Sequence, residues 1–471
     1  MIKFGTGGWR AVIGDEFTKA NVQLLTTAIA KKMKESNNCT NGFVIGYDRR
    51  FLSTEAAKWA AEVMAGENIL CRFINREAPT PLIMFSVKYF DLPYGMAVTA
   101  SHNPAIYNGI KVFMKDGRDA DEILTNELEQ YINDIDPSEI KAMPFEDGIK
   151  AGYIQIVDPM NQYIDSIIRS INMDAIRSRN LKIALDPMYG VSKTALQTIF
   201  LTARCDVDVI HERHDALFGG RLPAPNYKTL SGLINYVEEN HCDIGIATDG
   251  DADRLGVIDD KAEFLHPNKI LVLLYYYLMK FKGWHGAAVR NIATTHLLDC
   301  IAEDFGEICY EVPVGFKYIS SKMVETNAII GGESSGGLTV RGHIQGKDGV
   351  YAAALLVEMI ATTGRKLSEI YREITDHYGT YEMDESDFRF SGENKEKITN
   401  LLLVDKLLPE FKEEIEKVSY MDGCKVYFKN KGWIIARFSG TEPLLRIFCE
   451  MPTLKAAQET SAVLKQFLSL S

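Results

Sequence analysis

The chain lacks the features that mark secreted, membrane-spanning and nucleic-acid-binding proteins. Its 8 cysteines are scattered without a Cys-x-x-Cys pair, a pattern typical of free thiols in a reducing compartment. Residues 1–6 contain no apolar signal-peptide core, and the longest apolar run, residues 270–279, is far shorter than the roughly 20 residues of a membrane span. The net charge of −12 disfavours a broad nucleic-acid surface, although local cationic clusters can still bind anionic small molecules. We therefore expect a cytoplasmic protein whose partners include neither a membrane nor a nucleic acid.

The chain is also too long, at 471 residues, for a single hydrophobic core. Starting at residues 42, 181 and 287, an apolar strand is followed by a polar turn and a helical pattern. This alternation predicts α/β domains with mixed or mainly parallel sheets covered by helices. From residue 379 onward, a charged helix, short strands and a final helix predict a smaller α+β domain with an antiparallel sheet. Polar, breaker-rich segments place the domains at residues 1–150, 151–259, 260–378 and 379–471.

The segment DGDADR at residues 249–254 puts Asp249, Asp251 and Asp253 directly after an apolar stretch. Carboxylates this close repel one another unless a cation lies among them, and oxygen ligands favour Mg²⁺ or Ca²⁺. The spacing resembles an EF-hand loop, but Arg254 stands where that loop needs glycine, and strands are expected on both sides. A phosphatase of the haloacid dehalogenase type, with Asp249 as nucleophile, is a closer alternative that leaves Asp253 and Arg254 without roles. A solvated acidic loop is the plainest alternative.

A second segment, TASHNP at residues 99–104, places Ser101 just past another apolar stretch. His102 beside it and Lys111 nearby favour an activated serine nucleophile. An ordinary Asn-Pro turn explains the same residues. The segment has no Gly-x-Ser-x-Gly pattern, so it gives no support to ordinary acyl transfer.

Three further segments combine glycines, which let a ligand approach the backbone closely, with side chains that can bind hydroxyls or phosphate. They are GGESSGG at residues 331–337, RFSGTEP at 437–443 and FGTGGWR at 4–10. In the first, Glu333 and Ser335 are candidates for hydrogen bonds to sugar hydroxyls. The second offers a phosphate cradle made of Arg437, Ser439, Gly440 and Thr441. Taken singly, each segment is also explained by a turn or a flexible loop.

Together and in this order, these segments resemble the α-D-phosphohexomutase family, which includes phosphoglucomutases and phosphomannomutases. The resemblance spans nearly the whole chain and takes in YNGIK at 107–111, VPVGFK at 312–317 and KDG at 347–349. It implies three related α/β domains and a smaller fourth domain around a central cleft. It also implies that the protein interconverts hexose 1-phosphate and hexose 6-phosphate through a phosphoserine and a hexose 1,6-bisphosphate intermediate. The bisphosphate is also implied to serve as activator.

The resemblance also assigns roles to single residues. Ser101 is implied to carry the phosphoryl group, and Mg²⁺ is implied to bind a phosphoserine oxygen together with Asp249, Asp251 and Asp253. Lys317 matches a position that orients the substrate, whereas Glu333 and Ser335 match readers of sugar hydroxyls. The cradle at 437–441 would hold the phosphate that does not react. The family positions near the phosphoserine are matched by Lys111, His102, Arg10 and Arg254.

Proton transfer and substrate choice are less constrained. We expect Lys111 rather than His102 to act as general base, because Mg²⁺ and arginine close by should lower its pKa. Gly-Phe-Lys at 315–317 resembles phosphoglucomutase-type members, whereas Ala11 and Gly337 depart from residues found in many other members. We therefore favour glucose phosphate, with mannose phosphate as the alternative and an amino sugar or pentose phosphate after it. A non-catalytic sugar-phosphate sensor is disfavoured by the retained serine and aspartates, and the chain is expected to be a monomer or homodimer.

Overall fold

The computed structural model describes residues 2–5, 7–390, 392–439 and 444–470, without the side chains of residues 392 and 393. Within these ranges the chain forms four β-sheets. Three are mixed and flanked by helices, and the fourth is antiparallel, as predicted. In the same ranges no helix is both long enough and apolar enough to cross a membrane.

The first sheet has the strand order β1-β5-β4-β2-β3-β7, with β6 paired to β5. Because β7 runs parallel to β3, this sheet extends beyond the predicted boundary at residue 150. The strands are β1 (Trp9–Val12), β2 (Phe43–Tyr47), β3 (Cys71–Glu77), β4 (Tyr94–Val98), β5 (Tyr107–Met114), β6 (Arg118–Asp119) and β7 (Ile154–Val157). The helices are α1 (Lys19–Glu35), α2 (Ser53–Gly66), α3 (Thr80–Tyr89), α4 (Glu122–Asp134) and α5 (Phe145–Lys150), with a 3₁₀ turn at Pro137–Glu139.

The second sheet has the order β12-β11-β10-β8-β9. Its last strand pairs antiparallel with β11, so the sheet reaches past the predicted boundary at residue 259. The strands are β8 (Lys182–Asp186), β9 (Asp206–Val209), β10 (Ile244–Thr248), β11 (Leu255–Ile258) and β12 (Phe264–Leu265). The helices are α6 (Met160–Ser170), α7 (Met173–Arg177), α8 (Lys193–Thr202) and α9 (Ser231–Asn240), with a 3₁₀ turn at Phe218–Gly220.

The third sheet has the order β14-β13-β15-β16, and the fourth has the order β17-β21-β20-β19-β18. The third domain contains α10 (Pro267–Lys280), β13 (Ala288–Asn291), α11 (Leu297–Asp304), β14 (Cys309–Val312), α12 (Phe316–Thr326), β15 (Ile330–Gly332), β16 (Leu338–Val340), α13 (Gly349–Thr363) and α14 (Leu367–Tyr378). The fourth contains β17 (Glu382–Arg389), α15 (Gly392–Thr399), a π-helix (Asn400–Val404), β18 (Ile415–Ser419), β19 (Cys424–Phe428), β20 (Trp433–Phe438), β21 (Leu444–Met451) and α16 (Leu454–Phe467).

Central strands deliver the candidate site residues to one region of the molecule. Every residue of β2, β4 and β10 is buried, as expected where helices cover both faces of a sheet. The carboxyl ends of β4 and β10 lead into the serine and aspartate segments. One hydrophobic cluster unites the first three domains through residues such as Leu82, Tyr163 and Leu355. Because these domains share a core, their loops are held in fixed relation to one another.

A buried charged cluster joins the third domain to the fourth. Lys425 of β19 donates from Nζ to the Ile292 carbonyl at 2.7 Å, to Glu311 Oε2 at 2.8 Å and toward His296 Nε2 at 3.0 Å. Arg290 donates to Glu311 Oε2 at 2.5 Å, and Tyr427 donates to Glu311 Oε1. We call this set the interface cluster; its members are Arg290, His296, Asp299, Glu311, Lys425 and Tyr427.

Candidate active site

Ser101 lies at the centre of the site, fully buried just past the end of β4. Its Oγ donates to Asp249 Oδ2 at 2.7 Å and lies 3.3 Å from His102 Nδ1. Its φ of +53° is in the left-handed region, which residues with a side chain rarely adopt. The serine segment and the aspartate segment, separated by 148 positions in the chain, therefore meet through a direct hydrogen bond.

Asp249, Asp251 and Asp253 form a buried triad whose ligand oxygens lie within 4.8 Å of one another. Strands β10 and β11 flank the triad, as expected for a loop that is not an EF-hand. Lys111 of β5 donates from Nζ to Asp251 Oδ2 at 2.7 Å and to Asp253 Oδ2 at 2.5 Å. Lys347 makes a second ion pair with Asp253 at 2.8 Å. We call these five residues the triad cluster.

The oxygens of the triad fit a divalent cation. Oδ1 of Asp251 and Oδ1 of Asp253 are both buried without a hydrogen-bond partner among the described residues. Burial, together with the charges of Asp251 and Asp253, raises the pKa of Asp249 well above its ordinary value. Unpartnered carboxylate oxygens in a repelling group are the hard ligands that Mg²⁺ or Ca²⁺ prefers.

The predicted lowering of the Lys111 pKa is wrong for this arrangement. Burial of the ammonium lowers its pKa, but the carboxylates of Asp251, Asp253 and Asp249 outweigh burial and raise it above the ordinary value. The expectation considered the neighbouring cations and left out the acids that contact the amine. By contrast, burial and the charges of Arg254 and Arg10 lower the pKa of His102 well below its ordinary value, so its ring is neutral at pH 7.

Two arginines lie next to the serine and aspartate loops. Arg10 lies on β1 opposite Gly109 of β5, and its Nη1 donates to Asn103 Oδ1 at 2.7 Å. Arg254 ends the aspartate loop, and its backbone N–H donates to Asp249 Oδ1 at 3.1 Å. Burial lowers the pKa of Arg10, and the charge of Arg254 lowers it further. Two guanidiniums that repel each other in a buried site are well placed to receive an anion.

The glycine-rich loop at residues 331–337 is held by hydrogen bonds to neighbouring segments. Glu333 Oε1 accepts hydrogen bonds from Asn291 Nδ2 at 3.2 Å and from the Gly315 N–H at 3.1 Å. Exposed Ser335 donates to the other carboxylate oxygen at 3.4 Å. An isolated β-bridge joins Gly337 to Arg254, so the glycine-rich loop lies directly beside the aspartate loop.

The remaining predicted residues contact other parts of the chain. Lys317, on α12, forms an ion pair with Glu122 at 3.3 Å. Arg437 Nε lies 3.3 Å from Asp422 Oδ2, which also accepts the Val314 N–H at 2.9 Å. Arg437 is thereby tied to the third domain, and no contact within the described ranges joins it to Ser101. Ser439 donates its N–H to the Leu444 carbonyl at 2.8 Å, and the predicted Gly440 and Thr441 lie outside the described residues.

Sequence reasoning missed three groups that the fold brings to the site. Lys347 belongs to the KDG motif at 347–349, but the sequence predicted no role for it. Thr80 donates to Asp251 Oδ2 at 2.7 Å. Arg50 donates to the Ser101 carbonyl, and Asp48 accepts the Thr99 hydroxyl, so both residues stabilise the serine loop. The signal for the last pair was available, because a charged run directly follows the buried strand β2 at the sheet edge that also carries Ser101.

Comparison with known proteins identifies the family. Models of phosphoglucomutase/phosphomannomutase α/β/α domains I, II and III match residues 1–139, 161–262 and 266–378, and the C-terminal domain of that family matches 394–465. A phosphoglucomutase/phosphomannomutase of Thermococcus kodakarensis is 30% identical over 97% of this chain and 96% of its own length. The chain belongs to the phosphoglucomutase/phosphomannomutase family.

The chain is also similar to members of this family whose names refer to different sugar phosphates. A phosphoglucosamine mutase of Acetivibrio thermocellus is 30% identical over 95% of this chain and 94% of its own length. A solved Thermus thermophilus structure, provisionally described as a phosphomannomutase, is 28% identical with a TM-score of 0.86, covering 99% of each chain. The predicted family, its four-domain fold and a mutase-type isomerase are thus confirmed. The names of these phosphoglucomutase/phosphomannomutase relatives do not single out one sugar.

Proposed function

We propose that this phosphohexomutase interconverts hexose 1-phosphate and hexose 6-phosphate by way of phosphorylated Ser101 and a hexose 1,6-bisphosphate intermediate. The observation that carries the proposal is the 2.7 Å hydrogen bond from Ser101 Oγ to Asp249 Oδ2. It puts a serine hydroxyl at the edge of a triad that fits a divalent cation. Phosphoryl transfer depends chiefly on positioning and charge neutralisation, and this site offers both.

In this proposal Asp249, Asp251 and Asp253 hold Mg²⁺ together with an oxygen of the phosphorylated serine. The bound ion supplies positive charge beside the transferring phosphoryl group. Arg10 and Arg254 add N–H donors for its oxygens. Asp249 accepts hydrogen bonds from Ser101 and from the Arg254 backbone, which supports its role as a ligand and positioning group.

Lys111 and His102 are the two candidates for the proton carrier. Lys111 Nζ lies between Asp251 and Asp253, and His102 Nδ1 lies 3.3 Å from the serine oxygen. A carrier must be within hydrogen-bond reach of the oxygen that gains or loses the proton, either directly or after the substrate is bound. We keep Lys111 as the first candidate and His102 as the second, although Lys111 would act as a base only if a bound cation offset the carboxylates that raise its pKa.

The sugar is bound by the third and fourth domains in this proposal. Glu333 and Ser335 accept and donate hydrogen bonds to ring hydroxyls, and Lys317 orients the substrate. The non-reacting phosphate is held by the cradle of Arg437, Ser439, Gly440 and Thr441. Because either phosphate must reach Ser101, the bisphosphate turns around between two transfers, and added hexose 1,6-bisphosphate activates an enzyme that has lost its phosphoryl group.

Glucose phosphate is the proposed substrate, and an amino-sugar phosphate is the second candidate. The Gly-Phe-Lys segment at 315–317 supports glucose. The name of the Acetivibrio thermocellus relative supports glucosamine. The difference between these sugars is one substituent at C2, which gives a binding site a limited energetic handle unless a buried polar group reads it.

The proposal is tested by following the phosphoryl group. The chain is incubated with glucose 1,6-bisphosphate and Mg²⁺, and we expect an intact-mass increase of about 80 Da that maps to Ser101. Turnover is then measured with glucose, mannose and glucosamine 1-phosphates in the presence and absence of Mg²⁺. Ser101→Ala should abolish both signals.

Ser86→Ala is the matched control, because Ser86 is also buried but donates only to the Leu82 carbonyl of its own helix. It should leave labelling and turnover unchanged. Label on Asp249, or steady release of inorganic phosphate without isomerisation, would show that the chain is a phosphatase instead. Tight binding of all three sugar phosphates with no turnover would show a sensor.

A further inference from the structure

Arg50 occupies a buried position directly beneath the serine loop. Its side chain is 0% exposed, and its guanidinium donates to backbone carbonyls along that loop. The acceptors are Ser101 at 2.6 Å, Asn103 at 2.7 Å, Pro104 at 2.9 Å and Tyr107 at 3.0 Å. One planar cation therefore binds nearly the whole turn that carries the serine.

Asp48, two residues earlier, completes the support. Its Oδ1 accepts the Arg50 N–H at 2.9 Å, and its Oδ2 accepts the Thr99 hydroxyl at 2.7 Å. The same threonine oxygen accepts the Ser101 N–H at 2.9 Å. The loop is thus held at its carbonyls by Arg50 and at the serine N–H by Thr99, which Asp48 orients.

These contacts stabilise an unfavourable backbone conformation at Ser101. The left-handed φ of Ser101 is disfavoured for a residue with a side chain, so its surroundings must impose it. The aspartate loop adds to this constraint, because a Cβ placed on Gly250 would lie only 3.0 Å from the Ser101 carbonyl oxygen. The buried ring of Phe218 from the second domain lies 4.9 Å from the Arg50 guanidinium carbon, so Arg50 contacts both domains that build the site.

We propose that Arg50 is a positioning residue for phosphoryl transfer. Together with Asp48 it fixes the 101–107 turn, so that Ser101 Oγ stays in contact with the aspartate triad before and after it is phosphorylated. This inference rests on the proposed function, since it requires Ser101 to carry the phosphoryl group. Arg50 acts through the serine loop and does not contact the substrate.

Arg50→Lys tests the proposal, because lysine keeps the charge but cannot bind four carbonyls in one plane. We expect kcat to fall by about 100-fold, as for a misplacement of roughly 1 Å, with KM changed by less than about threefold. The rate at which glucose 1,6-bisphosphate labels Ser101 should fall by the same factor. Both rates are expressed per folded molecule, with the folded fraction measured by urea unfolding.

Arg72→Lys is the matched control. Arg72 is a half-buried arginine of the same sheet that donates to the Asn41 carbonyl at 2.5 Å and stacks on Phe90, away from the serine. Its replacement should lower stability while kcat stays within about twofold of the wild type, as expected for an effect on folding alone. If Arg50→Lys does not fold, Thr99→Val decides instead, and it should slow Ser101 labelling by at least about tenfold.

The outcomes separate the two proposals. A wild-type chain that isomerises no hexose phosphate and gains no label on Ser101 overturns the proposed function and this inference with it. A wild-type chain that is labelled, while Arg50→Lys is labelled equally fast per folded molecule, overturns the positioning role alone. Equal losses of kcat in the Arg50 and Arg72 variants would likewise reduce Arg50 to a structural residue.

Discussion

The triad cluster is a buried group of charges and the interface cluster a partly buried one, and they differ in which polar atoms lack a partner. In the triad cluster, two carboxylate oxygens lack a hydrogen-bond partner among the described residues. In the interface cluster, none of the six described side chains has a buried polar atom without a partner. Buried unpaired oxygens are costly, and a cation bound by both Asp251 and Asp253 would satisfy the two in the triad cluster. The comparison separates charge arranged to receive a ligand from charge arranged to hold two domains together.

The largest expected effect comes from Asp249→Asn, which should damage function but not the fold. We expect kcat to fall by at least about 10³-fold, because a ligand of the proposed cation is lost at the serine. Stability without Mg²⁺ should not decrease, since one charge of a mutually repelling set is removed. Turnover assays and urea unfolding in EDTA measure the two effects, with Asp116→Asn in an exposed loop as control.

Added Mg²⁺ sharpens this contrast. At 100 times its Kd, the ion should stabilise the wild type by about 2.7 kcal/mol and the Asp249 variant hardly at all. Calorimetric titration provides the Kd. A variant that still binds Mg²⁺ with wild-type affinity and turns over normally would refute the role of the triad.

Glu311→Gln should show the opposite pattern. Glu311 accepts from Lys425, Arg290 and Tyr427. Its neutralisation leaves buried Lys425 without its anionic partner, whereas Arg290 keeps its ion pair with Asp299. We expect a loss of about 3–5 kcal/mol in the free energy of unfolding, with turnover per folded molecule reduced by less than tenfold. Urea unfolding measures the loss.

Glu303→Gln, an exposed carboxylate on the neighbouring α11, provides the control and should change stability by less than about 0.5 kcal/mol. A Glu311 variant as stable as the wild type would mean that the interface cluster contributes nothing to the fold.

The smallest expected effect depends on pH. Burial, reinforced by the charges of Arg290 and Lys425, lowers the pKa of His296 to about 3. Below about pH 6.5, His296 is therefore protonated in the unfolded chain but stays neutral in the folded chain. The free energy of unfolding decreases for this reason as the pH falls from about 6.5 toward 3. Between pH 7.5 and 5.5 we expect a loss of about 1 kcal/mol from this residue.

Urea unfolding at the two pH values measures this loss. His296→Gln should remove that part of the pH dependence, whereas His285→Gln, at an exposed histidine, should retain it. A His296 variant with the same pH dependence as the wild type would contradict the proposed linkage.

The pattern of apolar strands, turns and helices predicted the α/β domains and the antiparallel fourth sheet. The resemblance to the α-D-phosphohexomutase family implied that Ser101 meets the aspartates. Other features depend on partners far apart in the chain. Strand β7 is assigned to the first sheet by its pairing with β3, and Lys425 meets Glu311 across 114 positions. The error over Lys111 has the same origin, since its carboxylate partners lie 140 positions or more away. The phosphate cradle stays a prediction, because Gly440 and Thr441 lie outside the described residues.

The bridge between Arg254 and Gly337 joins two loops that a substrate would contact for different reasons. One loop carries the charge proposed to serve phosphoryl transfer, and the other carries the groups proposed to distinguish one sugar from another. A Cβ on Gly337 would lie 2.3 Å from Cδ of Lys347, so even a small substitution there would displace the side chain whose amine pairs with Asp253. A substitution at Gly337 would therefore affect both the loop proposed to bind the sugar and the ion pair of the triad cluster.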